Sequence, residues 1–190
     1  MENKESFDKF NGNIVLVGMM GSGKTTVGKL LAKQLHKTFI DSDDEIQRRT
    51  GVTIPHIFDV EGEAGFRQRE SAVIEDLVKL RNIVLATGGG APLNPCSREL
   101  LKKSGVVVYL KSNAHDLWQR TRNDQSRPLL QTADPRARIH RLYEERDPIY
   151  TSMADIVMPT GKQNVQLLLA KLQDRLAIFH GDSGIEQEKK

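Results

Sequence analysis

An α/β fold, with a five-stranded parallel sheet covered by helices on both faces, is predicted by three features of this chain. Five short apolar runs alternate with helix-length amphipathic stretches. The first run, residues 14–17 (Ile-Val-Leu-Val), opens directly onto a glycine-rich loop followed by a helix. Two further runs end on chemically informative clusters, Asp41-Ser42-Asp43-Asp44 and Thr87-Gly88-Gly89-Gly90. Ligands in an open parallel sheet sit beyond the carboxyl ends of the strands, so these three strand ends should meet in one cleft.

The glycine loop carries the clearest chemistry. Gly18-Met19-Met20-Gly21-Ser22-Gly23-Lys24-Thr25 fits the pattern G-x-x-x-x-G-K-[ST], and the strand before it and helix after it are the context that pattern requires. Glycines at 18, 21 and 23 let backbone N–H groups converge on phosphate oxygens, and the helix N-terminus adds partial positive charge. Lys24 can reach the β- and γ-phosphates, and the Thr25 hydroxyl can ligate Mg²⁺. ATP or GTP binding follows.

Composition excludes several classes. A length of 190 residues suits one domain. Lys and Arg total 28 against 25 Asp and Glu, and only 5% of residues are aromatic, so neither a basic track nor stacking platforms for nucleic acid are present. Arg136, Arg138 and Arg141 are followed by Glu144 and Glu145, which reads as a solvated helix face. Cys96 is the single cysteine, which leaves no intrachain disulfide and points to a reducing compartment. The five histidines lack ligand spacing, so no zinc site is expected. No run is long enough to span a membrane, and the N-terminus lacks the apolar core of a signal peptide. A cytoplasmic monomer acting on small molecules, without nucleic-acid or membrane partners, is the expectation.

Taken in order, residues 1–12 read as a flexible tail and 13–180 as one domain. A helix over 26–35 buries Val27, Leu30, Leu31 and Leu35, a strand follows at 37–40, and a short helix spans 45–50. Thr53 can cap a turn through Pro55, Ile57 and Phe58, and a long helix over 63–80 carries Phe66, Val73, Ile74, Leu77 and Leu80. A strand at 83–86, a helix from Asn94-Pro95 to Lys103 and a strand at 106–110 come next. Ser112 is expected to cap a helix over 113–120. Residues 121–134 have no periodicity, and such a loop in a compact domain is usually a functional lid. A helix from Asp134-Pro135 should end near Asp147-Pro148, a strand should occupy 156–158, and a closing helix should reach Phe179. Residues 181–190 read as a disordered tail.

Two groups of charges stand out. Along an extended segment alternate residues share a side, so Asp41 and Asp43 can both face the nucleotide while Ser42 points away. One carboxylate could then orient the metal and the other handle an acceptor hydroxyl; the alternative is that Asp43 or Asp44 caps the next helix. Arg146 falls on the apolar stripe of Ile139, Leu142 and Tyr143 and so needs an anionic partner. Glu70 sits inside the stripe of Phe66, Val73 and Leu77, with Arg67 one turn away. An internal Arg67–Glu70 ion pair is one reading; the other is a two-arginine fork for a substrate carboxylate.

Together, Gly18 to Thr26, Asp41-x-Asp43, Glu61-Gly62-Glu63 leading to Phe66-Arg67, Gly88-Gly89-Gly90, Arg127-Pro128-Leu129-Leu130 and Glu145-Arg146-Asp147-Pro148-Ile149-Tyr150 resemble the shikimate kinase family. The resemblance runs in order from about Asn13 to Leu176. It implies the P-loop kinase fold of nucleoside-monophosphate-kinase type, with a substrate-binding region over about 43–70 and a lid over about 121–134. It implies ATP-dependent phosphorylation of the 3-hydroxyl of shikimate. By that resemblance Asp43, Phe58, Phe66, Arg67, Gly88, Gly89, Gly90 and Arg146 bind shikimate. Gly21, Ser22, Gly23, Lys24, Thr25, Thr26, Arg120, Arg127 and Gln163 bind ATP. Thr25 and Asp41 serve Mg²⁺, and Lys24, Asp43 and Arg127 are catalytic. Gluconate kinase of the same fold is the first rival, and a nucleotide-operated binding protein the second.

Overall fold

The computed structural model describes residues 12–124, 126–161 and 164–185, so all of the expected N-terminal tail but Gly12 lies outside the described residues. Five parallel strands, β1 (Asn13–Val17), β2 (Thr38–Asp41), β3 (Ile83–Ala86), β4 (Gly105–Lys111) and β5 (Ile156–Pro159), form one sheet in the order β2-β3-β1-β4-β5. β1 lies at the centre, and Ile14, Val15, Leu16 and Val17 are fully buried. Helices cover both faces, which is why these strands are continuously apolar rather than alternating.

Successive side chains of each strand feed different cores. Val15, Val17, Leu85, Val107 and Tyr109 pack with Ile46, Phe66, Ile74, Leu117, Leu142 and Tyr150. Those partners come from α2 (Ser42–Thr50), α3 (Ile54–Leu77), α5 (Ala114–Thr121) and α6 (Pro135–Met153). Ile14, Leu16, Val84, Val108 and Leu110 turn to the opposite side, against Val27 and Leu31 of α1 (Lys24–Gln34) and Leu169, Leu172 and Leu176 of α7 (Val165–Ile185). α4 (Pro95–Ser104) is capped as the sequence predicts: Asn94 accepts from the N–H groups of Cys96 and Ser97.

Several boundaries differ from expectation, each for a local reason. α2 starts at Ser42 rather than residue 45, because the Asp41 side chain caps it by accepting from the Asp43 N–H. The turn after Thr53 and the long helix form one run, bent at Gly62, whose φ of 69° favours glycine, and ending at Leu77 rather than residue 80. Asn113, not Ser112, caps α5, accepting from the Asp116 N–H. α6 continues through Pro148 to Met153, where the sequence predicts a stop. Proline removes one helical hydrogen bond, and burial of Tyr150 and Met153 beyond it offsets the loss. α7 likewise passes Gly181 and runs to Ile185, into the stretch expected to be a tail, since extending an established helix costs little. Residues 186–190 lie outside the described residues.

Candidate active site

Backbone conformation shapes the phosphate loop. Gly21 and Gly23 have φ of 77° and 96°, and Gly23 precedes α1 without any side-chain cap. The first N–H groups of α1 are therefore not covered by a cap, as an incoming phosphate requires. Lys24 Nζ donates to the carbonyls of Gly18 at 2.8 Å and Met19 at 2.9 Å, curling over its own loop. Burial of its ammonium lowers the pKa to about 8, opposed by the carboxylates of Asp43 and Asp41. Thr25 Oγ1 donates to Asp41 Oδ2 at 2.8 Å.

That hydroxyl–carboxylate pair suits Mg²⁺. The ion prefers hard oxygen donors, takes only one or two from protein, and completes its shell with phosphates and water. No cluster of three or more His, Cys, Asp or Glu able to hold a metal occurs among the described residues.

The three strand ends do meet. A cleft of ≈ 780 Å³ is lined by residues 21–26 of the loop, by Asp41 and Asp43, and by Arg120 and Arg127. Arg120 donates to the carbonyls of Gly21 at 3.1 Å and Gly161 at 2.9 Å, tying the loop to the chain after β5. Gln163 lies outside the described residues. A smaller pocket of ≈ 100 Å³ adjoins the cleft and brings together Phe58, Phe66, Arg67, Gly88, Gly90 and Arg146. Asp43, Gly89 and Arg127 line both spaces and so mark their junction.

The small pocket is charged and incompletely paired. Asp43 is pushed up to about 7 by burial first, then by Asp41 and Glu70, with Lys24 and Arg127 opposing. Its Oδ1 is buried without a hydrogen-bond partner, as are Glu70 Oε1 and Arg146 Nε. Glu70 and Arg146 are each only 3% exposed. Burial raises the Glu70 pKa, against the pull of Arg67, whose Nη1 donates to Glu70 Oε2 at 2.7 Å. The triple glycine is a matter of room: a Cβ at 88 would come within 2.6 Å of Asp43 Oδ1, and one at 90 would overlap the Arg67 guanidinium. Phe58 and Phe66 stack at 4.9 Å to form the apolar wall. Unpaired acceptors, an unpaired guanidinium nitrogen and one apolar wall suit a small ring bearing a carboxylate and hydroxyls.

Two features of the β2–α2 junction differ from expectation. Asp41 and Asp43 share the cleft, but not by strand alternation: Asp41 ends β2 and Asp43 lies in the first turn of α2. Ser42, expected to point away from the nucleotide, is fully buried and accepts the Gly88 N–H at 2.8 Å. The cap is Asp41, so neither Asp43 nor Asp44 fills that role. The Arg67–Glu70 ion pair is present, and Glu63 adds a second carboxylate to Arg67. The sequence assigns no site role to Asp124, Gly161, Thr87 or Tyr150, although the last two fall within motifs it singles out. Asp124 binds Arg127 Nε at 2.7 Å, and its spacing three residues before an arginine was a usable signal. Tyr150 donates to the Gly89 carbonyl, a contact that only the tertiary fold creates.

A glycine loop at the centre of this parallel sheet, with a small pocket lined by two arginines beside it, defines a P-loop small-molecule kinase of the nucleoside-monophosphate-kinase type. The sequence profile of the family named Shikimate kinase matches residues 20–177. The shikimate kinase of Nitrosospira multiformis is 56% identical over 167 residues, covering 88% of this chain and 86% of that one. That of Burkholderia lata is 58% identical over 159 residues, covering 84% and 86%. Among solved structures, shikimate kinase from Acinetobacter baumannii in complex with shikimate superposes with a TM-score of 0.86 at 45% identity, covering 92% of this chain and 97% of that one. A gluconokinase from Sinorhizobium meliloti, 17% identical with a TM-score of 0.60, shares the fold alone. This chain belongs to the shikimate kinase family.

Proposed function

We propose that the chain transfers the γ-phosphoryl group of ATP to the 3-hydroxyl of shikimate, giving shikimate 3-phosphate and ADP on the route to chorismate and the aromatic amino acids. One observation carries this reading: the phosphate-loop cleft and the two-arginine pocket meet at Asp43, Gly89 and Arg127.

Arg67 and Arg146 hold the substrate carboxylate, Gly88 to Gly90 give the ring room to approach the backbone, and Phe58 and Phe66 pack on it. Asp43 aligns the 3-hydroxyl and accepts its proton as the new O–P bond forms and the bond to the β-phosphate oxygen breaks. Lys24 and Arg127 stabilise charge on the transferring group. Mg²⁺, held through Thr25 and Asp41, would neutralise the β- and γ-phosphates. Arg120 flanks the nucleotide, and Gln163 is assigned to it on sequence alone. Residues 43–70 form the substrate-binding region and 121–134 the lid. A cytoplasmic, monomeric enzyme completes the reading, and the single cysteine supports the compartment.

Phosphorus-31 NMR of the reaction mixture tests the assignment. One product whose phosphorus couples to the C3 proton of shikimate is expected. Phosphate on another oxygen, or ADP release without a new phosphate monoester, would refute it.

A further inference from the structure

We infer that Tyr150 is a positioning residue that holds Gly89 and Arg146 in place against the phosphate loop, an inference that rests on the shikimate reading above. Tyr150 is fully buried on α6. Its hydroxyl donates to the Gly89 carbonyl and lies 3.9 Å from Met19 Sδ. Met19 in turn offers its carbonyl to Lys24. One phenol oxygen therefore touches two of the three strand-end loops that form the cleft.

Arg146 converges on the same residue. A Cβ built on Gly89 would stand 3.4 Å from Arg146 Nη1 and 3.6 Å from Tyr150 Oη. Arg146 Nε has no hydrogen-bond partner, buried Glu70 acts on the guanidinium through space, and the side chain hydrogen-bonds to Tyr150. The neighbouring phenol is the hydrogen-bonding group that gives it a direction. A trans peptide carries its C=O and N–H on opposite sides. Anchoring the Gly89 carbonyl on Tyr150 therefore turns the Gly90 N–H away from the tyrosine. The ring itself is held separately, packed on Tyr109 at 5.1 Å, so phenylalanine would keep the packing and lose only the hydroxyl. Tyr150 thus acts through Gly89 and Arg146 without touching the acceptor.

The test compares wild type, Tyr150→Phe, Arg146→Lys and the double variant, measuring KM for shikimate, KM for ATP, kcat and the melting temperature. Tyr150→Phe is expected to raise KM for shikimate by roughly three- to ten-fold, the effect of one buried hydrogen bond, with KM for ATP changed less than about two-fold. In the double variant the two effects on KM for shikimate should fail to multiply, because one residue acts through the other. An unchanged KM, equal rises for both substrates, multiplying effects, or a variant that does not fold would each overturn the inference. Wild type that fails to use shikimate would instead sink the functional reading, and this inference with it.

Discussion

Arg67 binds two carboxylates of its own helix, Glu70 through Nη1 at 2.7 Å and Glu63 through Nη2 at 2.9 Å. The two acids hold the guanidinium in place before substrate arrives, while Glu70 keeps its other oxygen unpaired. Arg67 is thereby both half of an internal ion pair and part of the small pocket's wall, where it is proposed to hold the substrate carboxylate.

Arg67→Ala or Arg146→Ala should weaken shikimate binding by roughly ten- to a hundred-fold, as expected for losing a charge-assisted bond of about 1.5–3 kcal/mol. ATP affinity should stay nearly constant. Calorimetric titration of each ligand checks this, with thermal melts alongside because Arg67→Ala leaves buried Glu70 unpaired. Parallel loss of both affinities would make the arginines structural.

Arg127 is paired with Asp124, and Ser126 donates to the same acid. In the proposed lid role, closure over two substrates exchanges that pair for the transferring phosphoryl group. Deuterium exchange across residues 121–134 should slow when an ATP analogue and shikimate are both bound. Arg127→Ala should cut kcat by about a hundred-fold or more. Unchanged exchange with near-normal turnover would remove the lid.

The parts of this architecture legible in the sequence are those written in local pattern. Fully buried strands appear as unbroken apolar runs, and the phosphate loop and triple glycine are short because backbone must approach ligand or side chain closely. What escaped was set by neighbours distant in sequence. Pro148 reads as a stop until Tyr150 and Met153 are seen to be buried beyond it. Asp41 could cap α2 only because β2 ends there, which moved Asp43 from a strand into a helix. Tyr150 and Ser42 reach Gly89 and Gly88 across 61 and 46 residues, beyond any pattern of spacing.

Asp43 and Asp41 should separate on metal dependence. Asp43→Asn keeps the shape but removes most of the basicity, so kcat should fall by about 10²–10⁴ while ATP still binds. Asp41→Asn should raise the Mg²⁺ concentration needed for half-maximal rate and recover in part at high metal. A Mg²⁺ titration of turnover in both variants decides. Rescue of Asp43→Asn but not of Asp41→Asn would reverse the roles.

Glu45 links acidity to the stability of α2. Hydrogen bonds from Arg48 and Arg49, at 2.7 Å each, hold its carboxyl at about 2, below the ordinary 4.5. A depressed folded pKa contributes stability above the unfolded value, and the contribution is lost as pH falls from about 4.5 toward about 2. Glu45→Gln should therefore melt below wild type at pH 7, with the gap narrowing at pH 4 and again at pH 3. A gap independent of pH would show that the ion pairs contribute nothing.

The acceptor itself is tested most directly by ADP release from the wild-type chain with shikimate, gluconate and nucleoside monophosphates at matched concentrations. Two arginines set around a pocket of ≈ 100 Å³ beside Asp43 favour a compact cyclic acid. kcat/KM for shikimate should exceed that for every other acceptor by about a hundred-fold or more, since an acceptor that leaves the buried charges unpaired loses that much. Equal or faster turnover with gluconate or a nucleoside monophosphate would contradict it.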